Sequence, residues 1–285
     1  MPETTNTVYF ENDAFPITAV EPWFKVKVQV VTHYIRSFIA QAAAVADELV
    51  LVDLFAASGL YSVGYQRQIF ASAMLGLMRE PLPVSRWVFC EAQPELAAAL
   101  KVRINRYFRD KNVLLFEQKP EELIDRLRFY IPKNKAGHKV AVLALADPFS
   151  LEPPYETLEK LATLGFSFLI PYTLPLNSRM GYEQYLHEQQ PRLKRFIGNN
   201  YGLERLKESS SQWHFYKRLV NVHQNNMLVL GLNPALSVHK LDSEWMDVPQ
   251  YYIGFYGRQI AAKSVLRDVN ASAAPQISLF QSPSL

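Results

Sequence analysis

Residues 48–64, ELVLVDLFAASGLYSVG, constrain the possible folds of this chain more than any other stretch. Residues 49–52 are a continuous apolar run, which is typical of a parallel strand that is covered on both faces. Asp53 ends the run, and small residues at 56–59 follow as a turn. Open α/β sheets bind ligands beside the carboxyl ends of their strands, where small residues let the backbone approach a ligand. The stretch therefore predicts either a ligand site or a tight strand-to-helix connection that binds nothing.

Composition places the chain among globular proteins. Of its 285 residues, 49% are hydrophobic and 20% are charged, and no apolar run approaches the roughly 20 residues that span a bilayer. The amino terminus has no signal-peptide pattern, so we expect a cytoplasmic protein. Cys90 is the single cysteine, which excludes an intrachain disulfide and a cysteine-rich metal site, and we expect no metal. A net charge of +3 is too small to imply a polyanionic partner by itself.

The length and the distribution of polar residues predict one large domain with two extensions. Residues 1–20 are a polar amino-terminal arm, and residues 21–269 form the domain, with a helical insertion at about 176–226. From residue 270 to 285 the chain is biased toward Ser, Ala, Pro and Gln, which predicts a disordered carboxyl-terminal tail.

Apolar runs predict seven strands, and helical periodicity fills the spaces between the early ones. The predicted strands are at residues 49–52, 87–91, 113–116, 140–146, 166–171, 227–232 and 251–256. Helices are predicted at residues 24–46, 69–78, 94–108 and 121–130. Alternation of this kind predicts an α/β fold with a mostly parallel, Rossmann-like seven-stranded sheet and helices on both faces. The insertion falls before the last two strands.

The glycine pattern favours a class I methyltransferase fold over a nicotinamide dehydrogenase. A dehydrogenase fingerprint requires G-x-G-x-x-G, and this turn supplies only one glycine of that series, Gly59. S-adenosylmethionine has no pyrophosphate to bind at a helix amino terminus, so a poorer glycine set is less damaging to its binding. An oxidoreductase is therefore disfavoured.

Two further strands end in acids. Glu91 closes the second strand, where a carboxylate can accept hydrogen bonds from both ribose hydroxyls of a cofactor. The alternative is that Glu91 is a helix-initiating acid. Asp147 closes the fourth strand, and Pro148 fixes an extended conformation on it, which would present its carboxylate beside the first turn. The alternative for Asp147 is an ordinary strand end with an aspartate cap.

Four segments together resemble the three-Cys-motif partner protein family. DLFAASGLY at 53–61 is similar to that family's D-x-F-A-G-x-G-x-Y, and DPFS at 147–150 is similar to its D-P-F-G. The helix start at 23–27 and QYYIGFYGR at 250–258 agree in the same order, so the resemblance covers most of residues 20–266. It implies a fold like that of S-adenosylmethionine-dependent methyltransferases. It also implies a separately encoded partner whose three-cysteine motif suits an iron–sulfur cluster.

The strand ends and the resemblance together give a candidate site. Its predicted cofactor-binding residues are Asp53, Phe55, Ala57, Gly59, Tyr61 and Glu91, and its predicted catalytic residues are Asp147, Pro148 and Phe149. We expect Asp53 near the methionine moiety, backbone access at Gly59, Glu91 on the ribose and Asp147 facing the substrate. Asp147 would accept a hydrogen bond from an exocyclic amine and hold it in line with the methyl group. Cytosine C5 methylation is excluded, because Cys90 lies inside a predicted strand.

Two departures from the family's motifs bear on activity. Ala57 stands where the first motif has glycine, and Ser150 stands where the second has glycine. If either position requires a positive φ angle, the side chain adds strain of about 1 kcal/mol or more. The alternative function is therefore a non-catalytic adaptor or binding subunit that keeps the fold.

Basic residues suggest a nucleic-acid surface. Arg103, Arg106 and Arg109 are predicted on the polar face of one helix, and residues 191–218 mix basic with aromatic side chains. The alternative is a solvated face. Lys25 and Lys27 begin another helix, where a cation opposes the macrodipole, and we expect them to be solvated rather than to face a ligand.

Residues 276–280, QISLF, resemble the short Gln-x-x-Leu-Phe peptide by which bacterial replication and repair proteins dock on the sliding clamp. A disordered tail gains nothing from exposed apolar residues unless a partner buries them. The pattern predicts that Leu279 and Phe280 fill a pocket of a clamp while Gln276 makes polar contacts. The alternative is that these residues pack back onto the parent domain.

Overall fold

The structure of this chain is a computed structural model that describes residues 9–64 and 68–277, and for residues 200 and 272–277 it describes the backbone only. The strands are β1 (Thr18–Val20), β2 (Glu48–Asp53), β3 (Leu60–Val63), β4 (Gln68–Ala71), β5 (Arg86–Cys90), β6 (Val113–Phe116), β7 (Val140–Leu145), β8 (Phe166–Pro171), β9 (Asn233–Lys240) and β10 (Gln250–Gly257). The helices are α1 (Trp23–Ala42), α2 (Ala73–Leu77), α3 (Pro94–Tyr107), α4 (Pro120–Tyr130), α5 (Tyr155–Thr163), α6 (Tyr182–Leu186), α7 (Gln190–Ile197), α8 (Asn200–Lys207), α9 (Gln212–Val229) and α10 (Ala262–Ile277).

A seven-stranded sheet forms the centre of the fold, in the order β6-β5-β2-β7-β8-β10-β9. The pairs from β6 to β8 are all parallel, and β10 runs antiparallel to both of its neighbours. Every residue of β7 and β8 is buried, because helices cover both faces of the sheet, and this explains the uninterrupted apolar runs. The predicted α/β Rossmann-like, class I methyltransferase-like fold with seven strands is confirmed by this topology.

Strand β10 illustrates how both faces of the sheet are covered. Phe255 stacks on Tyr34 of α1, with ring centroids 6.5 Å apart. Tyr252 points to the opposite face, where its ring lies 6.3 Å from Trp213 and 5.9 Å from Tyr216 of α9. The period-two alternation of the strand therefore sends neighbouring aromatic residues into two separate layers.

The segment after the first turn differs from its prediction. Residues predicted as the first part of a helix at 69–78 instead form β4, which pairs antiparallel with β3. Strand β1 joins β3 on its other side and completes a small three-stranded sheet. Ser72 Oγ accepts a hydrogen bond from Leu75 N at 3.4 Å, so Ser72 is the cap of α2 and the helix begins only after it.

The predicted strand at 227–232 is also wrong. Leu219, His223 and Met227 recur every four residues on the buried face of α9, so the helical period continues to Val229. Gly231 then adopts a φ of +73°, and strand β9 follows. Pro234 lies inside β9, where an edge strand tolerates the missing N–H.

Helices α6 to α9 occupy residues 182–229, between β8 and β9. At the other end of the chain, α10 continues to Ile277 and so passes residue 270, where the disordered tail was predicted to begin. The Ala-rich run at 271–274 favours helix. Residues 278–285, with Leu279 and Phe280, lie outside the described part of the chain. Among the helices that are described, none combines the length and apolar character that a membrane crossing requires.

Candidate functional site

Three acids meet at the carboxyl edge of the large sheet. Asp53 ends β2, whose neighbours in the sheet are β5 and β7. In the strand register Asp53 lies beside Phe89 of β5 and Leu145 of β7. Glu91 comes two residues after Phe89, and Asp147 comes two residues after Leu145, so both acids lie just beyond Asp53 at the same edge. Strands β5 and β6 lie on one side of β2, and β7 and β8 lie on the other. The strand order therefore reverses beside β2, which makes this edge a topological switch point.

Electrostatics confirm that the acids are close. Asp53 is 3% exposed. Burial, and then the charges of Asp147 and Glu91, raise the pKa of Asp53 to about 7. Burial likewise raises the pKa of Tyr61, and the nearby charges of Asp147, Asp53 and Glu91 raise it further. The predicted meeting of Asp53, Tyr61, Glu91 and Asp147 is therefore what the structure has.

The turn after β2 is fixed by local hydrogen bonds. Asp53 Oδ1 accepts from Phe55 N at 3.1 Å, and Ala56 N donates to Cys90 O at 3.0 Å. Ala57 has a φ of +49°, in the left-handed region that favours glycine. Ser150 does not share this strain, because Ala14 and Ala57 are the only non-glycine residues with positive φ in the described ranges.

The role of Gly59 differs from its prediction. Its φ is +76°, and a Cβ at this position would lie 2.8 Å from Leu100 Cδ1 and 3.0 Å from Leu75 Cδ2. Glycine is therefore required by the left-handed backbone and by the close approach of these two leucines. Backbone access for a ligand on that side of the turn is closed.

We expect Ala57→Gly to raise the free energy of unfolding by about 0.5–1 kcal/mol, because relief of the positive φ outweighs the entropy that glycine adds to the unfolded chain. Denaturant titration of wild type and variant measures the difference. Ala56→Gly is the matched control. Ala56 is buried and its backbone does not need glycine, so that change should destabilise the chain. A destabilising effect of Ala57→Gly would contradict the assignment of strain to this position.

Lys27 belongs to the site, contrary to the prediction that it is solvated. It is 1% exposed, and its Nζ lies 2.8 Å from Asp147 Oδ1. The Phe24 ring centroid is 3.9 Å from Nζ and that of Trp23 is 5.8 Å away, so aromatic faces surround the cation. A sequence signal for this burial does exist, since Lys27 falls between buried Phe24 and Val31 at helical spacing.

The Lys27–Asp147 pair is a buried ion pair. Burial lowers the pKa of Lys27, and the Asp147 carboxylate opposes that shift. Burial raises the pKa of Asp147, and Lys27 opposes that shift in turn. Each group therefore stabilises the charged form of the other, and one oxygen of Asp147 is already used as an acceptor.

Aromatic side chains surround this pair. We define the aromatic cluster as Phe24, Tyr61, Phe149 and Trp245. Ring centroids in it are 5.5 Å apart for Phe149 and Trp245, and about 6 Å apart for Phe24 with each of the other three. Phe149 is thus at the site as predicted, whereas Trp245 was missed. Glu21 holds the Trp245 loop in place, because its Oε1 accepts from Glu244 N at 2.7 Å.

Glu91 has a partly local role. Its Oε1 accepts a hydrogen bond from Gln93 N at 2.7 Å, next to the start of α3, as expected of a helix-initiating acid. The described residues make no hydrogen bond to its Oε2. Glu91 is 9% exposed, so that second oxygen can still reach a ligand. Pro148, the remaining predicted catalytic residue, lines a small neighbouring cleft with Ser150, Thr173 and Phe196.

The predicted nucleic-acid surface is reduced. Arg103 is fully buried and ion-paired with Asp13, and Arg109 lies beyond the end of α3, so Arg106 alone of the three predicted arginines is exposed on that helix. In the insertion, the aromatic residues Phe196, Phe215 and Tyr216 are buried in the core. Several basic side chains there do remain exposed: Arg192, Lys194, Arg195, Arg205 and Lys207.

Neither the models of known protein families nor the curated proteins give a match to this sequence. Among solved structures, an O-methyltransferase from Bacillus cereus in complex with SAH is 11% identical, with a TM-score of 0.45 over 86% of this chain and 85% of that one. The O-methyltransferase TomG from Streptomyces achromogenes is 12% identical, with a TM-score of 0.41 over 80% and 79%. The small RNA methyltransferase HEN1 is 12% identical, with a TM-score of 0.43 over 80% of this chain, which spans about a quarter (26%) of HEN1. The strand order of the large sheet, rather than these distant likenesses, defines the fold.

Proposed function

We propose that this chain binds S-adenosylmethionine at the carboxyl edge of the large sheet and transfers its methyl group. The meeting of Asp53, Glu91 and Asp147 at the topological switch point carries the proposal. Glu91 binds the ribose hydroxyls, Asp53 lies near the methionine moiety, and Asp147 faces the methyl acceptor.

The charge of the site supports this cofactor over a dinucleotide. Three carboxyl groups face one ammonium, that of Lys27, so the edge of the sheet attracts cations. S-adenosylmethionine carries a sulfonium and an ammonium group against one carboxylate and so is a net cation, whereas the pyrophosphate of NAD is an anion that the acids at this edge repel.

We expect Glu91→Ala to weaken binding of S-adenosylmethionine by about 1.5–3 kcal/mol, the scale for charged hydrogen bonds lost from a buried site. Calorimetric titration of the purified variant measures the loss, which corresponds to a roughly 10- to 150-fold higher Kd. Glu95→Ala is the matched control, since Glu95 is an exposed acid at the start of the same helix. Unchanged affinity in Glu91→Ala would remove Glu91 from the cofactor site.

The adaptor function is the competing proposal, and the strain at Ala57 supports it. Titration of S-adenosylmethionine and NAD into the wild-type protein distinguishes the two. Heat and a raised melting temperature with S-adenosylmethionine alone support the methyltransferase. No heat with either compound, together with an unshifted melting temperature, would favour the adaptor.

A nucleic acid is the acceptor that we propose for this activity. Exposed Lys194, Arg195 and Arg205 lie on the insertion, where Tyr201 is 74% exposed and available for stacking on a base. Binding of a labelled RNA or DNA should strengthen as the salt concentration falls. Absence of binding at low salt would end this proposal.

An iron–sulfur partner with a three-cysteine motif is a further proposal, supported by DLFAASGLY at 53–61 and DPFS at 147–150. Co-expression of this chain with such a protein should give a complex that co-purifies with iron and sulfide. Separate elution of the two proteins would contradict it.

We also propose that the carboxyl terminus docks on a bacterial sliding clamp, supported by the sequence pattern Gln276-x-x-Leu279-Phe280. Because ordering the segment costs entropy, the affinity should be micromolar. A fluorescent peptide spanning 270–285 should bind a clamp, and Leu279→Ala with Phe280→Ala should remove that binding. No binding of the wild-type peptide at tens of micromolar would exclude the interaction.

A further inference from the structure

Two buried hydrogen-bond donors contact the Trp23 ring on the Asp147 side of the sheet edge, where the proposed function places the methyl acceptor. The Lys27 ammonium, which only donates, is 2.8 Å from Asp147 Oδ1. Tyr251 on β10 is 1% exposed, and its hydroxyl has no hydrogen-bond partner among the described residues. The Trp23 ring contacts both donors, with its centroid 5.5 Å from that of Tyr251 and 5.8 Å from Lys27 Nζ.

The Tyr251 hydroxyl is available to donate. Burial, and after it the charge of Asp147, raises the pKa of Tyr251, so the phenol keeps its proton at neutral pH. A buried hydroxyl without a partner destabilises the folded chain. A ligand atom that accepts a hydrogen bond from Tyr251 would remove this cost.

An amino acceptor suits this arrangement poorly. Lys27 and Tyr251 are both donors, whereas an exocyclic amine conjugated to a ring mainly presents N–H donors of its own and accepts hydrogen bonds poorly. A hydroxyl oxygen has lone pairs that can accept from Lys27 and Tyr251, and it has one proton to give up. We infer that the methyl acceptor is a hydroxyl oxygen, held by Lys27 and Tyr251, in place of the amine that the sequence predicts; the inference rests on the proposed function.

The reaction balances with the residues present and S-adenosylmethionine as methyl donor. The acceptor oxygen attacks the methyl carbon, and the bond from that carbon to the sulfonium sulfur breaks. Its electron pair stays on sulfur, which gives S-adenosylhomocysteine. The hydroxyl proton passes to the Asp147 carboxylate, while Lys27 and Tyr251 stabilise the negative charge that develops on oxygen.

Methyl-labelled S-adenosylmethionine tests the inference with paired probes. Phenol and aniline differ only in the acceptor atom, and RNA and DNA of the same sequence differ mainly in the 2′-hydroxyl. We expect label in phenol or in RNA, which also separates a small phenol from a ribose as the source of the hydroxyl. Label in aniline or DNA, or no label in either hydroxyl probe, would overturn the inference.

The Tyr251→Phe variant assigns the role of the residue. The change removes only a hydroxyl that has no protein partner, so the melting temperature should not fall. Methyl transfer should slow by about 10²- to 10³-fold, while the affinity for S-adenosylmethionine stays unchanged. Tyr252→Phe, on the opposite face of β10, is the control and should stay within about twofold of wild type. Equal rates for Tyr251→Phe and wild type would overturn the role of Tyr251. Calorimetry on the same samples separates the hydroxyl acceptor from the proposed function. If the wild-type protein does not bind S-adenosylmethionine, the proposed function itself is refuted.

Discussion

Replacing Arg103 with alanine is expected to lower the free energy of unfolding by about 3–5 kcal/mol, because the change leaves the Asp13 carboxylate, on a side chain that is 6% exposed, without its partner. Arg103 Nε and Nη2 donate to the two oxygens of Asp13 at 2.8 and 2.7 Å. Its Nη1 donates to Ser58 O at 2.7 Å and to Pro16 O at 3.0 Å. Arg103 is 0% exposed, so water cannot replace these bonds without local opening.

Denaturant titration measures this loss, and two further variants make it specific. Arg106→Ala removes an exposed arginine from the same helix and should change stability by less than about 0.5 kcal/mol. Adding Asp13→Ala to Arg103→Ala should cost less than the sum of the two single changes, because the pair is already broken. A loss below about 1 kcal/mol for Arg103→Ala would contradict the buried pair.

Acidification is expected to destabilise the chain through His223. This side chain is 0% exposed, its Nδ1 lies 2.9 Å from Tyr172 Oη, and its ring stacks 4.6 Å from that of Phe196. Burial lowers its pKa from 6.5 to about 3. The unfolded chain therefore binds the proton more readily than the folded chain does. The stability that neutral His223 contributes is complete above pH 6.5 and is lost as the pH falls toward 3. At pH 5 the loss is about 2 kcal/mol.

The free energy of unfolding at pH 7 and pH 5 tests this, in wild type and in His223→Gln. The variant should lose about 2 kcal/mol less than wild type between the two pH values. His187→Gln, at an exposed position, should behave as wild type does. Equal losses in wild type and His223→Gln would assign the acid sensitivity to other groups.

Local patterns identified the parts of the site that depend on strands. Asp53, Glu91 and Asp147 were found because each closes a buried apolar run, and adjacent parallel strands bring their carboxyl ends together. Phe149 was included because it lies two residues after Asp147 in the same strand-end segment. Predicting these residues requires only the sequence around each of them and the general geometry of a sheet.

Buried charges could not be found in the same way. Lys27 and Arg103 are charged residues of a type that helices usually expose. Helical spacing places Lys27 on the buried face, but its partner Asp147 and the partner of Arg103, Asp13, lie 120 and 90 residues away in sequence. Tyr251 and Trp245 reach the site only through the pairing of β10 and the loop before it. The helical period of α9 was hidden because residues 227–232 are apolar in a strand-like run.

The small hairpin of β3 and β4 determines what the first turn can offer a ligand. In a simple doubly wound fold, a helix follows such a turn directly, and its positive amino-terminal end faces the bound anion. Here twelve residues at 60–71 intervene before the cap Ser72, and α2 itself is only five residues long. The turn therefore has little helix dipole to offset the acids around it, so a phosphate group brought to this edge would find no compensating positive end.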